Sequence, residues 1–161
     1  MEIRPPDASE RDAEIDEAAR LWAAYEANRP GAPHDPLYGE SQRRGFVEYA
    51  RKDSAVLLLA VNPEGVVGCV LGEVSEERST GSLAYLVADP VQRRVGIGRA
   101  LVGAFVAACQ EQGVGALSLT VHETNAEAQR LYEATGWRWN ASETVTTPVG
   151  DEVLRVMRLV L

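Results

Sequence analysis

Two stretches of the chain hold residue types whose spacing suits chemistry. The first is Leu86-Val87-Ala88-Asp89-Pro90-Val91-Gln92-Arg93-Arg94-Val95-Gly96-Ile97-Gly98-Arg99. An apolar strand pattern stops at Asp89-Pro90, a basic loop follows, and Gly96 and Gly98 open a helix pattern. That order makes an anion site. The first N–H groups of a helix have no partner within it, the helix dipole adds partial positive charge, and glycine lets a phosphate approach the backbone without a Cβ in the way. Arg93, Arg94 and Arg99 add cations, so a pyrophosphate is the natural guest. Two familiar phosphate motifs are not met. Residue 101 is Leu where a dinucleotide fold wants Gly or Ala, and Lys52 is the chain's sole lysine, so no Gly-Lys-Ser/Thr exists.

The second stretch is Asn125-Ala126-Glu127-Ala128-Gln129-Arg130-Leu131-Tyr132-Glu133-Ala134-Thr135-Gly136-Trp137. Asn125 and Tyr132 stand about two helical turns apart and so share one side. An amide and a phenol placed together suit ligand contact. A core tyrosine with a satisfied hydroxyl fits the spacing equally well.

The elements that position these residues follow from periodicity. Glu2–Arg4 reads as a short strand ended by Pro5-Pro6. Residues 12–25 and 40–52 read as helices separated by a loop with three prolines, which restrict the backbone and remove donors. Ala55–Val61 and Val66–Val74 read as a hairpin, the first a continuous apolar run suited to burial on both faces. Ser82–Ala88 is a third strand. Residues 98–112 form the strongest helix pattern, with Ile97, Leu101, Phe105 and Cys109 in steps of four. Ala116–Glu123 alternates as a strand, and Thr124-Asn125-Ala126-Glu127 matches a capping box before a helix ended by Gly136. Residues 137–142 and 152–161 read as closing strands. The order predicts one α/β (α+β) domain over residues 1–161, with a mixed sheet.

Composition sets bounds on function. The 161 residues suffice for one ordinary core, and 45% hydrophobic with 25% charged residues is a globular balance. A net charge of −8 argues against nucleic acid as partner. No apolar run approaches the roughly 20 residues of a membrane helix, and the start of the chain lacks a signal-peptide core, so the expectation is no membrane association and a cytoplasmic location. Cys69 and Cys109 lie in apolar stretches without ligand spacing. They read as buried thiols, with no metal site.

Arg93-Arg94-Val95-Gly96-Ile97-Gly98 resembles the Arg/Gln-x-x-Gly-x-Gly/Ala signature of the GNAT N-acetyltransferase superfamily. The block from Asn125 to Trp137 resembles that family's Asn…Ala…Leu-Tyr…Gly-Phe block, with Trp in place of Phe. The two occur in the family's order, and the likeness covers about residues 55–140. It implies a mostly antiparallel central sheet with a strand splay, flanked by helices, and acetyl-CoA as co-substrate between strands Ser82–Ala88 and Ala116–Glu123. By the same resemblance, backbone groups of Leu86, Val87 and Ala88 pair with the pantetheine arm. Arg93, Arg94, Val95, Gly96, Ile97, Gly98 and Arg99 hold the pyrophosphate, Asn125 and Tyr132 touch the cofactor, and Tyr132 protonates the departing sulfur.

An ammonium has no lone pair, so an amine acceptor must lose a proton to a base. Glu73 ranks first, with Tyr85, His122 and Glu123 as alternatives. The acceptor, a small-molecule or peptide amine, is expected near the first two helices. There Trp22, Tyr25, Glu26, His34, Asp35 and Tyr38 mix aromatics with acids, although Trp22 and Tyr25 fit a helix core better. A homodimer is compatible with the resemblance. The rival reading is a non-catalytic acyl-CoA-binding or regulatory module on the same fold.

Overall fold

A computed structural model of the chain describes residues 1–92, 96–147 and 150–161. The chain runs β1 (Glu2–Arg4), α1 (Arg11–Asn28), α2 (Tyr38–Ala50), β2 (Ala55–Asn62), β3 (Gly65–Val74), β4 (Thr80–Ala88), α3 (Ile97–Glu111), β5 (Ala116–His122), α4 (Ala126–Ala134), β6 (Arg138–Thr147) and β7 (Gly150–Val160), with a 3₁₀ turn at Pro90–Gln92. Among the described residues seven strands form one sheet in the order β1-β2-β3-β4-β5-β7-β6. Every neighbouring pair is antiparallel except β4 and β5, which are parallel.

Each face of the sheet has its own core. On one, α3 sets Ile97, Leu101, Phe105 and Cys109 against Val70, Leu117, Leu119 and Met157, with Tyr132 and Trp137 in the same cluster. On the other, Ile15, Ala18 and Ala19 of α1 and Phe46 and Ala50 of α2 cover Leu57, Leu59, Leu71 and Val87. Strand β3 lies between both layers, which is why its sequence is apolar nearly throughout rather than alternating. Gly72 is required there, because a Cβ would run into the Ser82 carbonyl of β4 and, at 2.6 Å, the Phe105 ring. Burial of Cys69 and Cys109 pushes their thiols up to about 12 and about 11, so both stay protonated.

Three element boundaries depart from expectation. α2 starts at Tyr38 because Asp35 prepares the first turn, its Oδ1 accepting from the Leu37 N–H at 2.9 Å. The cap of α4 is Asn125 rather than Thr124, with Asn125 Oδ1 accepting from the Ala128 N–H at 3.1 Å. The last hairpin reaches Thr147 and Gly150, and Trp137 precedes it as a fully buried plug rather than a strand residue. Ser142–Thr147 is polar except for Val145, so no hydrophobic period marks it. Pairing with β7 holds it as a strand.

Candidate active site

The site originates in a break between the two parallel strands. β4 and β5 pair only at Thr80↔Ala116, Gly81↔Leu117 and Ser82↔Ser118, and beyond that point they part. A bulge accompanies the break, since Leu71 faces Tyr85 but Gly72 faces Leu83, leaving Ala84 as the extra residue. The bulge reverses the side-chain alternation. Leu83 points to the α3 layer, while Tyr85 and Val87 point to the α1–α2 layer.

The bulge also resets which backbone groups face the opening. Asp89 donates to the Val67 carbonyl at 2.8 Å, which makes that pair and, two residues back, Val87↔Cys69 the hydrogen-bonded pairs of the ladder. Val87 therefore spends its N–H and C=O on β3. Leu86 and Ala88 turn theirs toward the splay, so two of the three residues expected to offer backbone groups are free to do so and Val87 is not.

At the mouth of the splay, α3 begins. Gly96 precedes it with φ of +74°, a left-handed conformation that favours glycine, and a Cβ there would meet nothing within 4 Å. Gly96 accepts the first helical bond, from the Ala100 N–H at 3.0 Å. The N–H groups of Ile97, Gly98 and Arg99 thus have no partner within the helix. This open, glycine-lined helix start fits a pyrophosphate. Arg93, Arg94 and Val95, also expected there, lie outside the described residues.

The second motif packs against the first. The Cβ position of Gly98 lies 3.4 Å from Leu131 Cδ2 on α4, one residue from Tyr132. Tyr132 is buried, its ring edge-on to Trp137 at 5.9 Å, and its hydroxyl makes no hydrogen bond among the described residues. Burial, helped by the Tyr25 phenol on α1, holds the Tyr132 hydroxyl well above the ordinary tyrosine range, so it stays a proton donor at neutral pH. Asn125 Oδ1 caps the helix, and its Nδ2 donates to nothing among the described residues.

Gln129, buried between these two on the same face, was not singled out in the sequence, although its i, i+4, i+7 relation to Asn125 and Tyr132 places it there. Its Nε2 donates to the carbonyls of His122 at 3.0 Å and Glu123 at 2.7 Å, and its Oε1 accepts from Arg155 at 2.7 Å. It ties the free end of β5 to α4 and β7.

The four base candidates are dispersed. Glu73 sits on β3 directly opposite Ser82, the last paired residue of β4. Ser54 Oγ donates to its carboxylate at 2.8 Å and Lys52 Nζ stands at 3.5 Å, and together they hold the carboxyl below the usual range, ionised. Tyr49 of α2, which helical periodicity assigns to the core, sits beside Glu73, with Lys52 Nζ 4.2 Å from its ring centre. Tyr85 is packed by Trp22, Phe46 and Tyr49, with ring centres 4.9 to 5.3 Å away, and burial raises its hydroxyl. His122 lies 3.8 Å from Glu152 at the end of β5, and Glu123 is exposed.

The loop residues expected to meet an amine are occupied otherwise. Glu26 accepts from Tyr38 at 2.7 Å and from Arg29 at 2.8 Å, which neutralises it. Trp22 and Tyr25 pack on the α1–α2 core, and Trp22 Nε1 donates to Gln42 at 3.2 Å. Among the described residues no cluster of three or more His, Cys, Asp or Glu is arranged to hold a metal, and no helix is long and apolar enough to cross a membrane.

A mixed sheet whose two central parallel strands part beside a helix N-terminus is the architecture of acetyltransferases. The ribosomal-protein-alanine N-acetyltransferase of Brucella melitensis superposes with a TM-score of 0.79 at 20% identity, over 100% of both chains. The ribosomal-protein-S18-alanine N-acetyltransferase of Escherichia coli gives 0.75 at 20% identity, over 99% of this chain and 92% of that one. PaiA N-acetyltransferase of Thermoplasma acidophilum, solved with coenzyme A, gives 0.71 at 17% identity over 99% and 98%. At these identities the likeness is one of fold. No curated protein sequence matches the chain. The family model "Acetyltransferase (GNAT) family" matches residues 7–137, and the chain belongs to that family of acyltransferases.

Proposed function

We propose that the protein transfers the acetyl group of acetyl-CoA directly to a primary amine. The observation that carries this reading is the parting of β4 and β5 beyond Ser82 and Ser118, with the open start of α3 at its mouth. Acetyl-CoA, when bound, supplies an activated thioester. The N–H groups of Ile97, Gly98 and Arg99 offer the pyrophosphate three donors and the positive end of a helix. Leu86 and Ala88 offer the pantetheine arm the free backbone groups of a strand edge. Asn125 adds a side-chain donor nearby.

Tyr132 is the general acid. Its unpartnered hydroxyl keeps its proton and delivers it to the departing sulfur. This favours an enzyme over a binding module, which has no use for an unpaired phenol at the splay. Glu73 is the proton acceptor for the amine, acting through water from the strand next to Ser82. Its low affinity for protons suits a relay that passes the proton on rather than storing it. Tyr85 is disfavoured, since burial opposes its ionisation.

Gly96→Glu places a carboxylate where the pyrophosphate is held. Calorimetry is expected to show at least a hundredfold loss of acetyl-CoA affinity, on the order of the 3 kcal/mol that a misplaced like charge costs at such a site. Wild-type affinity in this variant sinks the assignment.

A further inference from the structure

The register of the sheet places a row of directly paired residues across one face: Glu73↔Ser82 between β3 and β4, Ser82↔Ser118 between β4 and β5, Ser118↔Arg158 between β5 and β7, and Arg158↔Arg138 between β7 and β6. Directly paired residues present their side chains to the same face, one strand spacing apart. The row therefore reads carboxylate, hydroxyl, hydroxyl, guanidinium, guanidinium. Its middle is the apex of the splay.

Four of these residues, Glu73, Ser82, Ser118 and Arg158, line one open cavity of about 740 Å³ with Asn140 and Glu76. The cavity is electrically polarised. Glu73 and Glu76 stand at the β3 end, and Arg158 stands at the β7 end, about 14 Å from Glu73 by three strand spacings. A second cavity of about 320 Å³ is lined by Arg138, Asn140 and Arg158 together with Trp139 and Leu159.

The two arginines are the informative pair. Like charges directly opposite on neighbouring strands repel. The chain has 24 acidic and 16 basic residues, so carboxylates are abundant. Among the described residues neither Arg138 nor Arg158 has an ion-pair partner, which is equally true of Arg11, Arg78, Arg99, Arg130 and Arg155; what sets these two apart is that they stand directly opposite each other and line the cavities over the sheet. Both are exposed, so water can solvate them, but two guanidinium groups converging beside the Ser82–Ser118 apex offer an anion from outside the chain a place to bind.

Resting on the acetyl-transfer reading above, we infer that the acceptor is an amine that itself carries a carboxylate, its nitrogen over the Ser82–Ser118 apex and its carboxylate on Arg158, with Arg138 behind. Glu73, whose charge Lys52 partly offsets from 3.5 Å, and Glu76 beside it draw the ammonium end and Arg158 the carboxylate end, so the row selects both the class of acceptor and its direction. A diamine of the same length would set its second ammonium against two guanidinium groups. The bonds and protons balance: the C–N bond forms and the C–S bond breaks, the ammonium loses two protons in all, one of them passing through Glu73 to solvent, and one proton reaches the CoA sulfur from Tyr132, which is re-protonated by the second.

The test compares acceptors matched in length, 4-aminobutyrate, its carboxamide and 1,4-diaminobutane, by thiol release from acetyl-CoA. An acidic dipeptide amide, Ala-Glu-NH2, against Ala-Gln-NH2 distinguishes a carboxylate carried on a peptide from one on a free amino acid. Wild type is expected to favour the carboxylate of at least one matched set about tenfold in kcat/KM, the effect of one charge-assisted bidentate contact. Arg158→Gln, at an exposed position, is expected to remove that preference by raising KM for the carboxylate alone, with KM for the neutral partner unchanged. Calorimetric binding of the acetylated carboxylate product should weaken by the same factor. Equal use of acid, amide and diamine by wild type overturns the inference and leaves the acetyltransferase reading standing, as does an Arg158→Gln effect shared by acid and amide. Acetyl-CoA binding without thiol release for any acceptor overturns both.

Discussion

Tyr132 illustrates how one environment sets both the packing and the chemistry of a side chain. Its ring is held in the core against Trp137, yet its hydroxyl makes no hydrogen bond among the described residues. Burial makes the phenolate costly, so the proton is retained to a higher pH than in a free tyrosine. Tyr132→Phe keeps the ring and removes only that proton. Turnover is expected to fall about a hundredfold, within the usual range for loss of a general acid, with acetyl-CoA affinity nearly unchanged. The sign of the pH dependence follows from the raised value. The donor form persists below it, so ionisation of Tyr132 should produce no loss of turnover up to pH 10, the ordinary tyrosine value. A rate–pH profile and a binding isotherm check both statements, and an unchanged rate in the variant removes Tyr132 from the acid role.

At the scale of elements, the bulge at Ala84 decides what β4 can offer. Without it, alternation would run unbroken from Thr80 to Ala88, and the backbone groups facing β5 would belong to odd-numbered residues throughout. With it, Leu86 and Ala88 face the splay and Val87 faces Cys69. Amide exchange followed by magnetic resonance reads this directly. In the free protein Leu86 and Ala88 should exchange faster than Val87, and acetyl-CoA should slow those two by at least tenfold while leaving Val87 as it was. Protection that appears at Val87 instead would place the ligand on other backbone groups. The bulge also explains why the site was only partly legible in the sequence. The helix start, the two glycines and the Asn125–Tyr132 spacing are local patterns, and local patterns survive in one dimension. A one-residue slip in a strand has no compositional mark, so Val87 could not be told from its neighbours. Gln129, Tyr49 and Arg158 were missed for a related reason. Their roles depend on which strand or helix lies beside them, and long-range pairing is what a single sequence states least directly.

The whole molecule is two part-sheets joined at a narrow seam. β1 to β4, with α1, α2 and α3, form one part, and β5 to β7 with α4 form the other. Between them the strands share three residue pairs at the β4–β5 seam, and α3 lies across it through Phe105, Leu117 and Leu119 in one core cluster. Gln129 and Arg155 stiffen the second part without crossing the gap. A ligand that enters the splay as an extra strand would therefore bond to Leu86, Ala88 and the start of α3 in the first part while Asn125, at the head of α4, reaches it from the second, closing the gap that the sheet leaves open. Stabilisation by a ligand that binds only the folded state is about 2.7 kcal/mol at a hundredfold excess over Kd, and for a domain of this size that is a rise in Tm of about 5 to 10 °C. Coenzyme A is expected to give this rise in a calorimetric melt, and Gly96→Glu to abolish it. ATP separates the two contributions, because it carries a polyphosphate for the helix start but no arm for the splay. If ATP raised Tm as much as coenzyme A at equal concentration, bridging of the two part-sheets would be no part of the effect, and the opening between β4 and β5 would have to be explained by something other than a guest that completes the sheet.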